Sequence, residues 1–393
     1  MTIELMLYSH DWAPLIGGIQ TITTALAEGL AKWTATHEGE VVNVTFVTKT
    51  PADGMNDSLL PFRVIRLPNL IKLASLIHSA DVVHLTGLPF LPLALCLLLR
   101  KPTVVEHHGY QSICPNGGLI YLPDQTICPG HFMAGRYLNC IRCNSDSTGL
   151  ARSLFSLALT FPRRWMGRRV SVNVVPSHYI GERIVLPRTK TIYHGIPQAQ
   201  LRRFSTPNSR TFAFVGRLTT EKGLPVLLRA SRSLANDGYD FRVKILGDGR
   251  ERTKLEKMVD EMDLKTRVEF LGPVKPTDMV EVLSDVIAIV MPSVCEEVAP
   301  LVAIERMMEG YPIIASDMAG LAEMVADVAL KFPPGDSDAL KSCMVRVLQD
   351  PGLGTKLGQK AQFRASRFFS EKRMVEDHLR LCQGLLNAGG KNS

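Results

Sequence analysis

The sequence has no apolar run long enough to cross a bilayer: the longest, Leu88 to Leu99, is about 12 residues and holds two prolines, against the roughly 20 residues of a spanning helix. It is expected to form a buried helix instead. The N-terminus lacks the basic segment and uniformly apolar stretch of a signal peptide, and Glu4 interrupts it. Retention in the cytoplasm is the expectation. Neither an aromatic-interleaved basic run nor a zinc-finger helix is present, so nothing points to nucleic acid. Short-period repeats and low-complexity tracts are missing as well. What remains, 46% hydrophobic and 21% charged residues, is the composition of a globular chain with a large core.

A chain of 393 residues exceeds one ordinary core and suits two domains of roughly 180 residues with a cleft between them. Short β-branched runs alternate with helical patterns, the signature of parallel sheets covered by helices on both faces. The first series is IELMLY, VVNVTFV, FRVIRL, DVVHL, PTVVEH, VSVNVV and TKTIY. The second is TFAFVG, FRVKILG, RVEFLG, VIAIVMP, YPIIAS and VALKF. A polar stretch from Pro197 to Arg210 separates them and is expected to be the linker. The boundaries expected are 1–195 and 196–369.

The segment from Val290 to Val325 carries the most chemistry. A buried strand ends at Met291, a loop holds Glu296 and Glu297, and Pro300 stands where a helix opens; Gly310 then ends that helix. The free N–H groups of Leu301 and Val302 and the positive dipole end make an anion site. Glu297 is either a helix-capping acid or an acceptor for sugar hydroxyls beside a bound diphosphate. A second element, VGRLTTEKG at 215–223, follows a strand and precedes a helix. It puts Arg217 and Lys222 at the carboxyl end of a parallel strand, where doubly wound folds bind ligands.

Together, G-R-x(n)-E-K-G and Glu297-x7-Glu305, joined by LGDGRERTKLE at 246–256 with Gly247, resemble the retaining family 4 glycosyltransferases of the GT-B type. That fold sets two Rossmann-like parallel-sheet domains face to face. The similarity extends over nearly the whole chain. It implies a first domain that takes the acceptor, a second that takes the nucleotide-sugar donor, and C-terminal helices, 370–393, packing back on the first. It also implies that Arg217 and Lys222 neutralise the donor phosphates, Glu297 holds the transferred sugar and Glu305 the ribose. Gly17 and Gly18 would let the backbone approach the diphosphate or the acceptor, and His108 would be the active-site histidine near the sugar, with His107 as the alternative. Three positions depart from the family pattern: Pro300 for Gly, Arg306 for Ala, and His194 for Asn.

The implied reaction is retaining hexosyl transfer from a UDP- or GDP-sugar to a hydroxyl acceptor, such as a lipid-linked or glycan precursor. An epimerase of the same architecture, or a catalytically silent scaffold, are the alternatives; a scaffold would need none of Arg217, Lys222, Glu297 and Glu305. No catalytic divalent metal is expected, because Asp336-Ser337-Asp338 opens a helix and Asp336 suits its N-cap.

Cys114, Cys128, Cys140 and Cys143 have 13, 11 and 2 residues between successive members. They could close a structural zinc site or stay as free thiols. Finally, Arg163, Arg164, Arg168 and Arg169 accompany Leu154, Phe155, Leu157, Phe161 and Trp165. This is either a surface helix burying its apolar stripe or a segment that docks on an anionic membrane.

Overall fold

The structure, a computed structural model, describes residues 2–36, 41–197 and 209–389. The expected linker therefore lies mostly outside the described residues. The chain divides into two compact units. The first comprises residues 1–123, 128–197 and 369–393, and the second 124–127 and 198–368.

The first unit is built on a seven-stranded sheet. Its strands are β1 (Thr2–Ser9), β2 (Val41–Thr48), β3 (Arg63–Arg66), β4 (Val82–Thr86), β5 (Thr103–Glu106), β6 (Val172–Val175) and β7 (Thr189–Thr191), in the order β3-β2-β1-β4-β5-β6-β7. All these pairings are parallel. The strand order reverses between β1 and β4, so the carboxyl ends of these strands open at a switch point. Val82, Val83, Leu85, Val104 and Val105 are fully buried, as strands covered on both faces must be. The C-terminal helix, Glu371–Gly389, packs on the first helix, Gly18–Thr36. A Cβ at Gly29 would overlap Val375, and Met374, Val375, Leu379 and Cys382 are buried. Ile196 ties this helix to the sheet side of the unit, donating its N–H to the Phe369 carbonyl at 3.0 Å and accepting from Glu371 N at 2.9 Å.

The second unit repeats the plan with six parallel strands: β8 (Thr211–Val215), β9 (Arg242–Leu246), β10 (Val268–Gly272), β11 (Val286–Met291), β12 (Ile313–Ser316) and β13 (Leu330–Phe332). Their order is β10-β9-β8-β11-β12-β13. Its core joins Phe212 and Phe214 of β8 to Leu224, Leu227 and Leu228 of the next helix and to Val243 and Ile245 of β9.

One expectation is corrected. Leu88–Leu99 is not uniformly buried: it forms a helix, Phe90–Leu98, that buries Pro92, Leu93 and Cys96 and exposes Leu91 and Leu98. A helix on the outside of a sheet has only one face to cover.

Candidate active site

In the second unit, glycines bring three strand-end loops into contact. A Cβ at Gly247 would overlap the carbonyl of Gly216, and one at Gly223 the carbonyl of Pro292; these glycines have φ of 128° and 68°. Only glycine meets both demands. Val294 N donates to Glu221 O at 2.9 Å and stitches the loop after β8 to the loop after β11. Lys222 and Glu297 are 75 positions apart in sequence, yet Lys222 Nζ lies 2.6 Å from Glu297 Oε2. Ser293 Oγ donates to the other carboxylate oxygen. Glu297, its side chain 9% exposed, is thus held from both sides, and it is not the cap of the following helix, Leu301–Met308, whose N-cap residue is Pro300 and which has no side-chain cap.

Pro300 stands just ahead of that helix, so Leu301 and Val302 supply its first N–H groups. Glu305 lies one turn further on, its carboxyl raised by burial against the nearby Arg306. Arg306 Nη2 is 3.5 Å from Glu305 and its Nη1 3.0 Å from Glu309. Burial, countered by Arg306 and reinforced by Glu305, pushes Glu309 up to about 7. Arg217 is different: its side chain is 76% exposed and meets Glu221 at 3.9 Å, a pair that holds it weakly.

In the first unit, Gly18 opens the first helix and Gly17 precedes it. The two histidines after β5 are separated by their surroundings. His107 is a core residue: its Nε2 is 2.8 Å from Asn173 Oδ1, while Asn173 Nδ2 donates to Gly167 O and Pro187 O. Burial drives it down to about 4 against Asn173 and Glu106. His108 lines a cavity of about 130 Å³ with Ser9, Asp11, Gln20, Thr86 and Gln111. Burial pushes it down to about 3, against the pull of Glu106.

Glu106 is the feature that sequence reasoning missed. It is fully buried, and His84, His194, His108 and His378 surround it at 3.3, 3.5, 3.7 and 3.9 Å. Burial alone would raise its carboxyl; the imidazoles, His108 foremost, outweigh it and hold the group well below the ordinary range. The signal available was an acid and a histidine set inside otherwise apolar strands, VVEH and DVVHL.

The four clustered cysteines are buried and free. Cys140 and Cys143 sit one turn apart on the helix Tyr137–Thr148. Burial raises the Cys140 thiol to about 12, with Cys114, Cys128 and Cys143 adding to the shift. Leu122 N and Asn116 Nδ2 point at Cys143 Sγ, at 3.3 and 3.4 Å. Three-residue groups whose ligand atoms lie within 4.8 Å of one another are, among the described residues, those around Glu106. Asp336 caps its helix, accepting from Asp338 N and Ala339 N at 3.0 and 2.9 Å. The arginine-rich segment is a helix, Leu150–Gly167, that buries Leu157 and Met166 and exposes Phe155, Phe161 and Trp165.

Residues 199–364, which hold the Lys222–Glu297 pair and the loops after β8, β9 and β11, match the family described as Glycosyl transferases group 1. The chain carries a group 1 glycosyltransferase domain, and its fold is that of the GT-B glycosyltransferases. A 2-deoxystreptamine glucosyltransferase of Streptomyces kanamyceticus is 34% identical over 154 residues, 38% of this chain and 40% of that protein. The chain spans less than half the length of the curated relatives it matches first. Among solved structures, sucrose-phosphate synthase of Thermosynechococcus elongatus superposes with a TM-score of 0.72 at 20% identity, over 98% of this chain and 100% of that one. The Anabaena protein HepE, solved with UDP and glucose, gives 0.69 at 16% identity, over 97% and 100%. Among the described residues, no helix is long and apolar enough to cross a membrane.

Proposed function

We propose that the chain transfers a hexose from a nucleoside-diphosphate sugar to a hydroxyl acceptor with retention of anomeric configuration. The observation that carries this is the Lys222–Glu297 pair, at 2.6 Å, placed by the strand-end loops of a group 1 domain beside an uncapped helix start. Lys222 and Arg217 take the donor phosphates with charge-assisted hydrogen bonds, helped by the N–H groups of Leu301 and Val302. Gly247, by letting the loop after β9 close on Gly216, shapes the loops that face the nucleotide, Glu305 takes the ribose, and Glu297 turns its carboxylate to the sugar hydroxyls once phosphate draws Lys222 away. In the first unit, Gly17, Gly18 and His108 are the residues assigned to the reaction, His108 serving as a hydrogen-bond partner. The protein's share of the catalysis is orientation and electrostatic stabilisation of the departing diphosphate.

UDP stands first as the donor nucleotide because HepE was solved with it, with GDP as the other arm of the test. The acceptor is a glycan or lipid-linked hydroxyl. Two parts lie outside the transfer itself: a structural zinc held by Cys114, Cys128, Cys140 and Cys143, to which the amide donors aimed at Cys143 are suited as outer support, and reversible attachment to an anionic membrane.

Glu297→Gln should lower transfer about a hundredfold to a thousandfold while nucleoside-diphosphate affinity, measured by calorimetry without magnesium, stays nearly intact. Proton coupling constants should give the product the donor's anomeric configuration. Wild-type turnover in Glu297→Gln, or an inverted product, refutes the assignment, and an epimer formed without acceptor would point to the epimerase instead.

A further inference from the structure

Inside the first unit, a carboxylate and two imidazoles converge. His84 lies on β4 and Glu106 at the end of the neighbouring β5, on the same face, since His84 pairs in register with Val104 and Thr86 with Glu106. His378 comes down on them from the C-terminal helix. The side chains of His84, Glu106 and His378 are 3%, 0% and 3% exposed. His84 Nε2 and His194 Nε2 approach the two Glu106 oxygens at 3.3 and 3.5 Å, but neither these oxygens nor Nε2 of His84 or of His378 makes a hydrogen bond of good geometry. Buried polar atoms are ordinarily paired, so several orphans facing one point need a missing partner.

The hydrogen bond of His378 fixes which ring nitrogen is left for such a partner. Its Nδ1 is 2.9 Å from the Met374 carbonyl, an acceptor only, so Nδ1 carries the proton. Nε2 is then the ring nitrogen that faces a Glu106 carboxylate oxygen, 3.9 Å away. An ion between this nitrogen and the carboxylate would be a partner to both. A ring N–H held by a backbone carbonyl is also how metal-bound histidines are oriented.

We propose that His84, Glu106 and His378 bind one divalent transition-metal ion, of the zinc or cobalt kind, which fastens the C-terminal helix to the first sheet. Two histidines and a glutamate are an established ligand set for such ions. Their three ligand atoms already lie within 4.8 Å of one another, whereas zinc–ligand bonds of about 2.1 Å put tetrahedral ligands about 3.4 Å apart. A small contraction would close the set. The site is separate from the phosphate-binding residues of the second unit and does not rest on the transfer reaction.

The test uses the full chain, kept reduced and loaded with Co²⁺ alone. A site made of nitrogen and oxygen gives visible d–d absorption without thiolate-to-cobalt charge transfer, which separates it from any cysteine-bound ion. We expect one such ion per chain and a drop in its affinity of at least about a hundredfold in His378→Ala and in His84→Ala. Chelation should also increase hydrogen exchange in residues 371–389 and leave UDP affinity unchanged. If wild-type protein saturated with Co²⁺ shows no nitrogen- and oxygen-ligated ion, the proposal fails, whether or not the variants fold. It fails equally if folded His378→Ala keeps the wild-type spectrum and stoichiometry. Should the alanine variants unfold, X-ray absorption on zinc-loaded wild type decides: two imidazoles in the non-sulfur shell support the site, and their absence overturns it.

Discussion

Gly223 shows what one residue contributes to this fold. At φ 68° it closes the turn carrying Lys222, and its missing side chain lets the Pro292 carbonyl pass directly over it. Gly223→Ala should therefore cost more than the roughly 1–2 kcal/mol of a left-handed conformation alone, because backbone must also move. Urea unfolding would measure the loss, and unchanged stability would show that the two loops are not in contact. Glu309 offers a second test at this scale. Its folded value of about 7 lies above the ordinary 4.5, so the folded state holds the proton more tightly. The resulting stabilisation is fully present below about pH 4.5 and is lost as pH rises through 7, at most about 3 kcal/mol. That value already includes the opposing pull of Arg306, in contact at 3.0 Å. Glu309→Gln should flatten unfolding free energy between pH 5 and 7; an unaltered slope would mean that the carboxyl titrates normally in the fold.

Elements were more legible than sites. Every apolar run read as a strand is one, because strands buried on both faces must be apolar along their length, and the doubly wound order follows from alternating helices. The helix Leu301–Met308 lies where Pro300 and Gly310 bracket it. Partners between elements were not legible: no spacing rule connects His84, Glu106 and His378, which meet only after the last helix has folded onto the first unit. Lys222 and Glu297 were singled out separately, but their ion pair depends on glycine-mediated contact between loops. Cys140 and Cys143 are one turn apart on a helix, whereas Cys114 and Cys128 reach them from loops, a placement that spacing alone does not specify. If these four hold zinc, cobalt substitution should produce thiolate charge-transfer bands that Cys140→Ser abolishes. That variant should destabilise the first unit without selectively removing nucleotide affinity. Absence of those bands in metal-replete, reduced wild-type protein would leave the cysteines as free thiols.

At the scale of the whole molecule, the +7 charge matters where it adjoins exposed apolar surface. The helix Leu150–Gly167 buries one stripe, with Leu157 and Met166, yet Phe155, Phe161 and Trp165 remain 63%, 45% and 54% exposed. The segment packs one stripe on its own unit and keeps a second apolar stripe outside, and we propose that this outer stripe docks on an anionic membrane. The arginines are divided in the same way. Arg164 donates to the Ile184 carbonyl at 2.9 Å, which fixes it to the fold, and Arg169 lies over the Trp165 ring at 3.7 Å. An aromatic ring and a guanidinium stacked at the surface can enter a headgroup layer together, the ring toward the acyl chains and the charge toward phosphate. Each basic residue near an anionic surface contributes roughly 1 kcal/mol, enough for reversible attachment that salt weakens. Sedimentation with phosphatidylserine-containing vesicles should exceed that with phosphatidylcholine alone, fall as salt rises, and drop further in a Phe155→Ser, Phe161→Ser, Trp165→Ser variant that still unfolds cooperatively. Equal partitioning onto both vesicle types would reject the electrostatic part, and undiminished binding by the triple variant would place the membrane contact elsewhere on the molecule.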